Sequence, residues 1–234
     1  MTDHAAEVIA DAFASTLKEL VLDGADLSDA ALHSVSRCSG LEKLWFSFCD
    51  NFTDAGAGAL VALGGLRSVK LRKGMHFTNE AVRSLFSSGA FDLLEELDLT
   101  ECPDVQDTTL FEIAHHCPLL RQLNLSWCWD VSNDGMRAIA QNTPNLLLIN
   151  CTGIKRLTDA PFLDAASLWP HLRVFIAKSA NNISDELLAQ LCDDFAEALI
   201  AINYYGDKIG DDSDAAWGSN STGRFKVDRW VLDY

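Results

Sequence analysis

The sequence predicts an α/β solenoid, a right-handed horseshoe with parallel strands on its concave side and helices on its convex side. Three observations predict it. An apolar frame recurs at near-equal intervals, a helix-start signal recurs in phase with it, and the composition is that of a chain with a core. Of 234 residues, 48% are apolar and 22% charged, which places the chain among globular rather than disordered sequences.

The frame comes first. The segment Leu94-x-x-Leu97-x-Leu99-x-x-Cys102 recurs as Leu120-x-x-Leu123-x-Leu125-x-x-Cys128. It also fits Leu17/Leu20/Leu22, Leu41/Leu44/Phe46/Cys49 and Leu66/Val69/Leu71. Downstream it fits Leu146/Ile149/Cys151, Leu172/Phe175/Ala177 and Leu199/Ile202/Tyr204. Starts lie 24 to 28 residues apart, a period that marks stacked supersecondary units. Successive strand residues face opposite sides, so frame residues are assigned to the core and those between them to the concave face.

The helices follow from the second signal. Leu27-Ser28-Asp29, Phe52-Thr53-Asp54, Phe77-Thr78-Asn79, Val131-Ser132-Asn133, Leu157-Thr158-Asp159 and Ile183-Ser184-Asp185 repeat an apolar residue, a hydroxyl and an Asp or Asn. Val105-Gln106-Asp107 keeps only the acid. Hydroxyl side chains of this kind cap the free N–H groups that open a helix. Apolar residues then return at helical spacing, as Leu110, Ile113 and Ala114 do. Each unit reads as strand, turn, capped helix and return loop.

The ends depart from this scheme. Thr2-Asp3 stands 26 residues before Ser28-Asp29, so residues 1–16 read as a half-repeat whose helix caps the solenoid. Residues 17–210 hold the repeats, about eight strands. Residues 211–234 are a polar loop, then an apolar stretch (Val227, Trp230, Val231, Leu232) expected to cover the last repeat.

These residues resemble a leucine-rich repeat of the cysteine-containing subtype, about 26 residues long. That subtype is known from F-box/leucine-rich-repeat proteins and F-box-less relatives of the mitotic-exit-antagonist kind. The 94 unit matches at Leu94, Leu97, Leu99, Cys102, Val105, Asp107, Leu110, Ile113, Ala114, Cys117 and Pro118, and the 120 unit matches at as many positions. The resemblance spans roughly residues 1–210. It implies a protein-binding scaffold, a substrate-recognition or adaptor part of an SCF-type ubiquitin-ligase pathway. Sixteen residues precede Leu17, too few for an F-box, so a ligase adaptor is an expected partner only if an F-box lies upstream. The alternative is a general recognition repeat, regulatory or at a cell surface, unrelated to ubiquitin ligation.

The concave columns supply the candidate site. Partner contact is assigned to Lys43, Trp45, Phe48, Lys70, Arg72, Asp98, Glu101, Asn124, Trp127, Asn150 and Lys178. Large rings where a monomer would place polar groups mark binding surfaces, and Trp45, at mid-strand, is expected to meet the partner. Trp129 is expected to fold down over its own repeat. Lys43, Lys70 and Arg72, with Lys73 beside them, form a basic cluster in an acidic chain, suited to an acidic or phosphorylated segment. Changing Lys70 and Arg72 to Glu is expected to weaken binding and leave folding intact.

Other functions find little support. A net charge of −16 works against phosphate-backbone and anionic-membrane contact. No apolar run reaches the length of a spanning helix. Seven cysteines without a tight framework fit a reducing compartment, so cytoplasm or nucleus is expected. His115, His116 and Cys117 are consecutive, so their side chains diverge on a helix and cannot chelate together. Cys49, Cys102 and Cys128 share one repeat position and read as buried structural thiols. Asp29, Asp54, Asp107 and Asp159 read as helix starts. No nucleophile elbow, phosphate loop or dinucleotide fingerprint occurs, so no enzyme, metal or cofactor is expected.

Overall fold

Each unit folds as one short strand followed by a return segment, and the strands stack in chain order. The computed structural model describes residues 2–23, 26–74, 76–195 and 199–209. Eight strands run parallel: β1 Glu19–Asp23, β2 Lys43–Ser47, β3 Ser68–Leu71, β4 Glu96–Asp98, β5 Gln122–Asn124, β6 Leu148–Asn150, β7 Val174–Ile176 and β8 Ile200–Ile202. A ninth, β9 Lys208–Ile209, closes antiparallel to β8. The helices are α1 Asp3–Phe13, α2 Asp29–Val35, α3 Asp54–Ala59, α4 Asn79–Ser87, α5 Asp107–His116, α6 Asn133–Asn142, α7 Ala165–Leu168 and α8 Asp185–Asp194, each packed on the next. The fold is a leucine-rich-repeat solenoid, as the period and alternation predict.

One core runs the length of the stack. Leu44, Leu94, Leu120, Leu123, Leu125, Leu146 and Leu172 are all fully buried in it, and Phe46, Phe52, Phe162, Phe175 and Trp169 fill the space between layers. The register sets Glu19, Lys43, Ser68, Glu96, Gln122, Leu148 and Val174 in one column and Val21, Trp45, Lys70, Asp98, Asn124, Asn150 and Ile176 in the next.

The eighth unit departs from its expected frame. Phe175 pairs with Ala201 and Ile176 with Ile202, so Ala201 enters the core and Ile200 and Ile202 take the concave positions. The expected frame Leu199/Ile202/Tyr204 is one residue late. Leu199 lies just before the strand yet is fully buried, and its size imitated a frame position. A slip of one residue exchanges the two faces of a strand. The expected cover over the last repeat, residues 211–234, lies outside the described residues.

The hydroxyl-acid signal proves to be a ladder between repeats as well as a cap. Ser28, Thr53, Ser132 and Ser184 each accept from a backbone N–H in the first turn of their own helix. Each also donates backwards. Ser28 gives its N–H and hydroxyl to the Asp3 carboxylate at 2.8 and 2.6 Å, Thr53 to Asp29 at the same distances, and Ser132 to Asp107 at 2.7 and 2.5 Å. Thr78 joins Asp54 and Ser184 joins Asp159 in the same way. Where Gln106 replaces the hydroxyl residue, the preceding acid position holds the amide Asn79, which bonds Thr108 and Thr109 instead. The recurring acids thus start helices and tie layers together.

Candidate protein-recognition surface

The strands present their middle columns inward on one another. Lys43 and Lys70 place their ammonium groups 3.5 and 3.4 Å from the centre of the Trp45 ring, and the indole N–H donates to Ser68 at 2.7 Å. Ser68 donates in turn to Glu96. Lys70 lies 2.8 Å from Glu96, an ion pair largely buried on both sides. Arg72 grips one oxygen of Asp98 with Nε at 2.8 Å and Nη2 at 2.7 Å. Stacking 24 to 28 residues apart brings these opposite charges and rings into contact.

Several assigned contact residues are therefore corrected. Lys70 is 3% exposed, Asp98 1%, Asn124 7% and Asn150 0%, so none is an open contact group. Trp45, Lys43 and Arg72 are half-buried. Asp98, Asn124 and Asn150 build turns: each side-chain oxygen accepts the backbone N–H two residues on, from Thr100, Ser126 and Thr152. The Thr100 and Ser126 hydroxyls close onto the same oxygens at 2.6 Å. The basic cluster meets acids of its own chain, with Lys73 3.9 Å from Glu101 and Lys43 3.7 Å from Glu19. Replacing Lys70 and Arg72 by Glu is now expected to strike the fold.

Those turns create a second surface. One residue past the turn, the backbone enters the left-handed region: Phe48, Lys73, Glu101, Trp127 and Ser179 have φ between 56° and 63°, and Gly153 takes the same place at 74°. Positive φ is uncommon for side chains of this size and is held here by the turn on either side. Glu101 donates its N–H to the Ser126 carbonyl and Trp127 to that of Thr152, both at 2.8 Å. The result is a rim of outward side chains. Phe48 is 41% exposed with the Lys73 ammonium 4.5 Å from its ring centre, Glu101 and Trp127 are half-exposed, and Trp129 is 53% exposed. Lys178 is half-buried, its stem near Gly206. Trp129 is thus the open ring, and Trp45 the one packed on its own chain.

Thiols anchor the rim from beneath. Cys102 donates its S–H to the Leu71 carbonyl and Cys128 to that of Leu99, both at 3.1 Å. All seven cysteines are free and buried. Burial pushes the Cys102 and Cys117 thiols up from 9.0 to about 12, and those of Cys128 and Cys151 are also raised, chiefly by burial. They keep their protons at neutral pH, as a packing role requires. Among the described residues no His, Cys, Asp and Glu group could hold a metal ion, and no helix is long and apolar enough to cross a membrane.

Strand, turn and capped helix in register define the class, and comparison agrees. A family model described as a leucine-rich repeat matches residues 116–140. Among solved structures, the chain is similar to one from the yeast complex of Rad7 and Elc1, at 18% identity and a TM-score of 0.63. The match covers 80% of this chain and 45% of that one, so this chain spans less than half the length of its structural relative. The tropomodulin C-terminal domain from Caenorhabditis elegans aligns at 16% identity and a TM-score of 0.45, over 73% of this chain and 93% of that domain. No curated protein matches the sequence significantly.

Proposed function

We propose that this protein is an interaction scaffold that binds a partner protein along the rim at the ends of its strands, with the inner strand face as the rigid base. The observation that carries this reading is the run of large side chains from consecutive repeats, Phe48, Lys73, Glu101 and Trp127 with Trp129 beside them, held outward by positive-φ turns. Aromatic residues on a fixed backbone lose little freedom on binding and are common hot spots. The yeast relative was solved in a protein complex, which supports a protein partner.

The finer reading is substrate recognition or an adaptor role in SCF-type ubiquitin ligation, resting on the repeat subtype alone. An acidic or phosphorylated partner segment is a weaker part of it, because the lysines and arginine that would meet such a segment already face Glu19, Glu96, Asp98 and Glu101. Affinity capture with the wild type and with a Phe48→Ala, Trp129→Ala double variant tests the reading. A stoichiometric partner should be recovered by the wild type and fall roughly thirtyfold with the variant. Identical recovery by both would remove the rim from the interface, and a partner set free of ligase subunits would leave a recognition module outside ubiquitin ligation.

A further inference from the structure

We propose that the rim cavity between Trp127, Trp129, Pro103 and Glu101 receives the guanidinium of an arginine side chain carried by the partner. The cavity encloses about 320 Å³, ample for a side-chain head group. Its walls are two indoles and a proline ring, and its polar group is a carboxylate. A cation is attracted to the face of a tryptophan ring and needs an anion to replace its lost hydration. The lining supplies both.

The walls are fixed before any ligand arrives. Glu101 and Trp127 occupy equivalent turns of adjacent repeats and are tied by their backbone N–H groups to the next layer. The Trp127 ring lies flat against Gly153, where a Cβ would overlap it. Cys102 and Cys128 lie fully packed beneath. Such preorganisation lowers the cost of binding.

The chain uses the same chemistry on itself. Lys43 and Lys70 cover Trp45, and Lys73 covers Phe48. Among the described residues, no cation stands over Trp127 or Trp129. The ion pair between Glu101 and Lys73 is long, at 3.9 Å, and about a third exposed on each side, so it yields to a closer cation. Asp104 and Asp130, next in sequence to Pro103 and Trp129, are exposed, and Asp130 lies 3.5 Å from Arg156. A net charge of −16 adds a long-range pull on cations. Arginine is preferred to lysine because a planar, weakly hydrated guanidinium stacks on an indole and can meet a carboxylate with two N–H groups at once.

This inference rests on the rim being a recognition surface, but its test needs no partner. Indole N–H signals of the full-length protein are followed by ¹H–¹⁵N NMR during titration with acetyl-arginine-amide, acetyl-citrulline-amide and acetyl-trimethyllysine-amide. Two of the six tryptophan signals, those of Trp127 and Trp129, should shift and saturate with the arginine probe on the order of 1–10 mM. The neutral citrulline probe should leave them in place, and the trimethyllysine probe should bind more weakly. Glu101→Gln should weaken the arginine response roughly tenfold, and Trp129→Ala should abolish it with the remaining indole signals unmoved. Absent shifts, equal shifts with citrulline, tighter binding of trimethyllysine, or an unaffected Glu101→Gln would each overturn the assignment. Failure here with successful rim-dependent capture would leave the scaffold reading standing.

Discussion

The inner strand face and the rim are built from the same kinds of residue, yet they do opposite things. On the strands, Trp45, Lys70, Arg72 and Asp98 spend their charge and ring surface on one another. Just beyond the ends of β2, β4 and β5, Phe48 is exposed and Glu101 and Trp127 are half-exposed along the rim. The difference is geometric. Parallel strands lie about 4.8 Å apart, so long side chains in adjacent columns must touch. A left-handed residue at each turn throws its side chain off that column. A recurring polar or aromatic residue in a solenoid is thus structural or available according to its place within the unit.

The sharpest way to break the inner face is Asp98→Ala. It removes the carboxylate that Arg72 grips and the acceptor of the Thr100 turn, and should lower stability by about 3–5 kcal/mol in urea unfolding. A loss of only a few tenths would show that this face is solvated after all.

Alkali attacks the buried thiols of the core. A thiol whose folded value is raised keeps its proton longer in the folded state, so its stabilising effect is complete below the unfolded value. That effect is lost as pH rises through the window from 9.0 to about 12 for Cys102 and Cys117. Stability should fall by roughly 1 kcal/mol per pH unit for each such thiol. Thiol-specific reagents near pH 8 should react slowly with the native protein and with all seven cysteines after unfolding. A pH-independent unfolding midpoint up to pH 11 would contradict this.

Gly153→Ala probes the junction. Its φ of 74° and the Trp127 ring above it oppose a methyl group, so about 1–3 kcal/mol should be lost and the Trp127 fluorescence should change. At the mild end, Trp129→Ala should alter stability by no more than about 0.5 kcal/mol while removing partner binding. Equal effects of Asp98→Ala and Trp129→Ala on folding would erase the distinction between the two regions.

Much of this was legible in the chain. The period placed seven of eight strands in register, because leucines at Leu94, Leu97 and Leu99 and their equivalents carry both spacing and alternation. The eighth slipped by one because Leu199 and Ile202 satisfy the frame in sequence, whereas the strand pairs Ala201, not Ile202, with Phe175. The surface was harder to read. Alternation tells that Lys70 leaves the core, but not that Trp45 and Glu96, one repeat away on either side, will enclose it. A signal for the turns was present in the hydroxyl residue that follows Asp98 and Asn124 two positions on. The Asp and Ser ladder was visible as a motif, and its exception at Gln106 was matched by Asn79 instead of Asp. Pairing the two positions would have disclosed it.

Hydroxyl-radical footprinting of the free protein and of its captured complex tests the central claim most directly. In the free protein Trp129 and Phe48 should be oxidised readily and Trp45 slowly, and in the complex Phe48, Trp127 and Trp129 should become protected while Trp45 is unchanged. Protection centred on Val21 and Trp45, with the rim still reactive, would place the partner on the inner strand face and contradict the account.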